Sequence, residues 1–199
     1  MTDQQTNVTQ SAEIVESPVN RRRRRRWPWI ALTFLLAIVA YNAWVTLPVR
    51  SALADEKEYS VLAYRRWLIS PSSVVFDVRG VEGTASMVGM DRALFKAAEA
   101  LKDRDYDQVI LAHRGTAKFI LDGARFKTIG QERQSQNPIY VIRTIQQDIK
   151  NIDGSPAFGT LSGGWLGVLG AEMEQHNEFH QKWWVEDETG HMSTSGAGL

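Results

Sequence analysis

His176 and His180 stand four residues apart, and Glu172 stands four before His176, so on one helix all three side chains project along the same side. Imidazole and carboxylate donors suit zinc and other divalent ions, which makes Glu172, His176 and His180 the candidate metal ligands of this chain. The spelling His176-Asn177-Glu178-Phe179-His180 differs from that of zinc peptidases, whose glutamate directly follows the first histidine. A second reading competes with the first. At about 100° per residue, Trp165, Leu169, Met173, His176, His180 and Trp183 fall within about 80° of one another, with Glu174, Glu178 and Lys182 roughly opposite. Two histidines on an apolar stripe are packed more often than they ligate. On that reading Trp165, Leu169, Met173, Trp183 and Trp184 are the expected interface residues.

Other motifs are excluded by what is missing around them. Zero cysteines rule out a disulfide framework, a thiolate zinc site and a cysteine nucleophile. Ala112-His113-Arg114-Gly115 resembles, over four residues, the opening motif of glycerophosphodiester phosphodiesterases. That family's barrel takes about 250 residues. Only 84 follow Gly115, so the four are read as a strand end and a two-residue turn. Leu161-Ser162-Gly163-Gly164 resembles the signature motif of ATP-binding cassette proteins, but the chain holds no phosphate-binding loop of the Walker type. Nor does Ser162 sit in a Gly-x-Ser-x-Gly elbow. Asp77, Glu82, Asp91 and Asp122 have no pairing in the sequence and are read as surface or turn residues.

The elements that must position these residues follow from periodicity. Val74, Val75, Phe76 and Val78 read as a first strand. Met87, Met90, Leu94, Ala98 and Leu101 trace one face of a helix within 85–104, with Arg92, Lys96, Glu99 and Asp103 opposite. Val109 to Ala112 make a second strand, so strand, helix and strand suggest a parallel crossover. Arg114-Gly115 and Asp122-Gly123 sit at hairpin-turn spacing and predict strands near 108–113, 116–121 and 124–129. Asn137 before Pro138 signals a helix start, with Ile142, Ile145, Ile149 and Ile152 on one face. A glycine-rich passage from Gly159 to Gly170 leads into the last helix, which reaches about Trp184.

Upstream lies the loudest signal. Trp27 to Val49 carries no ionisable side chain but Tyr41. As a helix it reaches ~34 Å, against a hydrocarbon core of ~30 Å. Trp27, Trp29 and Trp44 stand near its ends, as in an aromatic belt. Arg21 to Arg26 precede it and only Arg50 follows closely, which places the N-terminus in the cytoplasm and the rest outside. Ser51-Ala52-Leu53-Ala54 offers a signal-peptidase site after Ala54 as the alternative to a retained anchor. The whole chain balances 23 basic against 23 acidic side chains. From residue 51 onward 16 basic face 20 acidic, a balance without the footprint of a nucleic-acid binder.

The expected layout is a disordered tail over 1–26, a transmembrane helix over 27–49, a helical stalk over 50–70, a domain over 71–185 and a disordered tail over 186–199. The fold class is α+β, an extracytoplasmic mixed β-sheet packed by two or three helices. The expected function is that of an inner-membrane, single-pass binding or scaffold module of an envelope complex. Its partners are the lipid bilayer, other envelope proteins or a second copy. No cofactor is implied beyond a divalent metal, and the alternative is a small anchored metal-dependent hydrolase using Glu172, His176 and His180.

Overall fold

The computed structural model describes residues 27–133, 141–142, 144–161 and 165–195, and for 165–166 and 191–195 the backbone alone. The expected N-terminal tail, the Asn137-Pro138 helix start and Ser162 to Gly164 lie outside the described residues. Two compact units divide the chain, one ending at Leu36 and the other beginning at Ala37. In the first, Trp27 to Leu36 is helical with exposed side chains.

The second unit is α+β, built on a five-stranded sheet. The apolar run around Phe76 becomes β2 (Ser73–Val81), and the run around Leu111 becomes β3 (Gln108–His113). They pair in parallel, Val74 with Val109 through Val78 with His113, joined by α2 (Met87–Leu101). Ser86 caps α2 by accepting from the Gly89 N–H at 3.0 Å. β4 (Thr116–Asp122) folds back antiparallel on β3 through Arg114 and Gly115, whose φ of 49° and 84° suit a tight two-residue turn. The sheet order is sequential, β1 to β5, with β5 only Ile149–Lys150.

Three expected elements are corrected. Residues 124–129 are not a strand: Asp122 accepts from the Ala124 and Arg125 N–H groups and starts α3 (Gly123–Glu132). There Gly130 lets α3 close on α2, where an added Cβ would lie 2.3 Å from the Ala98 carbonyl oxygen. The helix expected through Ile152 gives way to a short 3₁₀ turn (Ile145–Asp148) and β5, because Ile149 is drawn into pairing with Leu121. The 50–70 segment is not a helical stalk. Val61, Tyr64 and Leu68 fit a helical period, but Tyr59, Val61 and Ala63 also alternate toward the core. Pairing with β2 settles them as strand β1 (Tyr59–Arg65).

The apolar helix is longer than expected. α1 (Trp27–Ala52) runs through Pro48, and from Ile38 onward one stripe of it belongs to the domain. Val45, Val49 and Leu53 lie in the same buried cluster as Phe76, Leu94 and Leu111. Asn42 accepts from the Arg65 N–H at 2.9 Å and donates to the Leu68 carbonyl at 2.7 Å, while the Thr46 hydroxyl donates to the Ala63 carbonyl at 2.7 Å. Pro48 has no N–H to offer the Trp44 carbonyl one turn back. The Arg104 guanidinium donates to that carbonyl instead. Below the helix end, buried Glu56 receives Arg92 at 2.9 and 3.0 Å and Lys96 at 2.8 Å, clamping the α1–β1 connection to α2.

Residues Glu186–Ser195 are helical, which corrects that part of the expected disordered tail over 186–199. A π-helical turn (Gln181–Val185) joins α4 (Trp165–His180) to α5 (Glu186–Ser195). The last four residues lie outside the described set.

Candidate functional site

α2 and α4 meet around one carboxylate. Asp91 is fully buried, and His176 Nε2 and His180 Nε2 reach its two oxygens at 2.7 and 3.0 Å. The imidazole rings contact edge-on, 4.6 Å between centroids. Asp91 stands four after Met87 and three before Leu94, on the apolar stripe of α2, where a charge needs a partner. Burial pushes the Asp91 carboxyl up, but hydrogen bonds from the two histidines outweigh it and hold it below the ordinary carboxylate value.

The proton positions follow from Trp184. Its indole N–H is only a donor and points at His180 Nδ1, 2.9 Å away. Nδ1 therefore carries a lone pair, and the proton of neutral His180 sits on Nε2, donated to Asp91. The π-helical turn carries Trp183 and Trp184, both buried, with Trp183 on the stripe that the regular wheel predicts and packed against Phe76 and Phe179.

The expected site residues are thus distributed unevenly. His176 and His180 come together, but the carboxylate between them is Asp91, which sequence spacing did not offer. Asp91, His176 and His180 present ligand atoms within 4.8 Å of one another. Glu172 is buried one turn up, in the wall of a groove of about 360 Å³ shared with Val88, Leu169, Met173 and His176. Three donors are the ligand count of a catalytic zinc site. The proton logic opposes that use, since a metal on His180 Nε2 needs a proton on Nδ1, where the Trp184 N–H points. Of the expected interface residues, Trp183 and Trp184 are core, Leu169 is half-buried and Met173 is 60% exposed. The Trp165 side chain lies outside the described residues.

A second polar cluster sits where β2 and β3 end. His113, buried, has the Asp187 carboxylate at 3.0 Å on Nδ1 and that of Glu188 at 2.9 Å on Nε2. Each ring nitrogen thus faces one carboxylate. Arg114 reaches Glu188 at 3.0 Å, and Lys118 reaches Asp187 at 2.7 Å. The Lys118 hydrogen bond holds the Asp187 carboxyl below its ordinary value against desolvation, helped by His113. Beside them, buried Asp77 accepts from the Gly115 N–H at 3.0 Å and from the Tyr64 hydroxyl at 3.2 Å, and pairs with Arg79 at 2.7 Å. The acidic run Glu186-Asp187-Glu188 at the start of α5 was the available signal for this cluster. Asp77, Asp91 and Asp122 each serve a different local structure. They do not share a pocket.

The face of the sheet opposite α2 carries Val75, Ile110 and Ala112 with Tyr64, in a small cluster of its own. An apolar groove of about 320 Å³ runs over it, bounded by Trp67, Leu68 and Ile152. No family model, curated protein or solved structure matches this chain.

Proposed function

We propose that the chain is a single-pass protein of the inner membrane, with its N-terminus in the cytoplasm and its α+β domain on the outer side, working as a binding or assembly module of an envelope complex. The observation that carries this reading is the fusion of α1 to the domain core. α1 is long and apolar enough to cross a membrane. Its second half supplies Val45 and Val49 to the core, so cleavage after Ala54 would strip the domain of its own packing. The charge asymmetry of Arg21 to Arg26 supports the orientation. The buried histidines and their carboxylates are engaged with one another, which also favours binding over catalysis.

Crosslinking of the full chain in native membranes, followed by identification of what copurifies, tests the assembly role. A reproducible envelope protein or a second copy is expected; a chain recovered only as an uncrosslinked monomer contradicts it. A reporter active only outside the cytoplasm, fused after Leu199, tests the orientation and should be active. One observation favours a second reading, a metal-dependent hydrolase: the convergence of Asp91, His176 and His180. Stoichiometric zinc in the purified protein, lost on His176→Ala, would raise that reading above the first.

A further inference from the structure

The turn after β1 breaks backbone rules in order to expose apolar side chains. Trp67 and Leu68 are consecutive non-glycine residues with φ of 55° and 63°. Both lie in the left-handed region that bulky residues avoid. Strain of this kind persists only where the surroundings fix it. Asn42 does so, holding the Arg65 N–H and the Leu68 carbonyl from α1. The result is a projecting Trp67, Leu68 and Ile69, exposed by 77%, 46% and 61%.

The height of this turn on α1 gives it meaning. Asn42 is the first residue of α1 to be buried. The fifteen residues from Trp27 to Tyr41 rise ~22 Å, short of the ~30 Å hydrocarbon core. If α1 spans, the domain end beside Asn42 must descend to the lipid. That end is furnished for it. Trp44 and Leu47 on α1 are exposed by 69% and 61%. Arg65 stacks on Tyr41 at 4.3 Å, Arg104 lies 5.8 Å from the Trp44 ring, and Arg66 lies 5.8 Å from the Trp67 ring. Aromatic rings interleaved with arginines at one level are what a headgroup layer selects.

We propose that the Arg65–Ile69 turn is a wedge seated in the outer leaflet, with Trp67, Leu68 and Ile69 at the headgroup–acyl boundary and Arg66 and Arg104 facing lipid phosphates. The proposal rests on the anchor reading above and adds a second, non-helical lipid contact.

The natural absence of cysteine makes the test direct. Phe34→Cys, Leu68→Cys and Lys182→Cys variants of the full chain are spin-labelled in vesicles of phosphatidylcholine and phosphatidylglycerol. Collisions with oxygen and with a water-soluble nickel chelate are then compared. At Leu68 oxygen collisions should exceed nickel collisions, as at Phe34, with the reverse at Lys182. A water-exposed label at Leu68 with a lipid-exposed label at Phe34 overturns the wedge and leaves the anchor standing. A label at Leu68 shielded from both reagents also overturns it, since protein would then cover the turn. Water exposure at Phe34 overturns the anchor itself.

Discussion

Asp91 is the residue whose removal should cost the domain most for its size. It is fully buried and satisfies two histidines that have turned their N–H groups toward it. Asp91→Asn presents one acceptor oxygen and one donor group to two donors, leaving a buried mismatch worth about 1–3 kcal/mol. The loss should appear as a lower denaturation midpoint with the slope unchanged. The sign of the pH effect follows from the depressed carboxyl. Its stabilisation is present above the unfolded-state value of ~3.9 and is lost as pH falls through the folded-state value. With Asp91 between the two histidines, the carboxylate's contribution should persist at pH 5 and fade below about pH 4. Chemical denaturation across that range checks this, and Asp91→Asn should flatten the acid limb. Trp183 is the other residue to test. Fully buried, with its indole N–H 3.2 Å from the Ala112 carbonyl, it should cost about 3–5 kcal/mol as Trp183→Ala. A melting temperature unchanged by that variant would contradict the core placement.

Elements were legible where one period dominated. β2, α2, β3 and β4 follow from an apolar run, a 3.6-residue stripe and a turn dipeptide, and the structure places them within a few residues of those signals. β1 was not, because Tyr59 to Leu68 satisfies two periods and its neighbour β2 decides between them. The histidine pair was visible as i, i+4 on α4, yet its true partner stands 85 residues before His176, at a distance no local spacing reaches. The burial of Trp183 was legible from the wheel, whereas Trp184 falls outside the stripe on that wheel and is buried as well, within a π-helical turn. At this scale the joint between α1 and the domain makes its own prediction. Asn42→Ala removes the clamp on the Arg65–Leu68 turn, so the Arg65 amide should exchange with solvent faster while amides in α2 keep their protection. Equal acceleration throughout would mean that Asn42 stabilises the fold globally and does not specifically hold the turn.

For the whole molecule, the proposed function depends on α1 being both an anchor and a part of the domain. Val45, Val49 and Leu53 pack with the same cluster as the sheet, so an intact chain and a stable domain go together. The measurement that tests this most directly is the intact mass of the protein recovered from carbonate-washed membranes. A membrane-pellet species whose mass still includes Trp27–Ala52 together with the domain is the predicted result. A soluble, exported species beginning at Asp55 and still folded would contradict it, showing that the domain does without the helix on which this account is built.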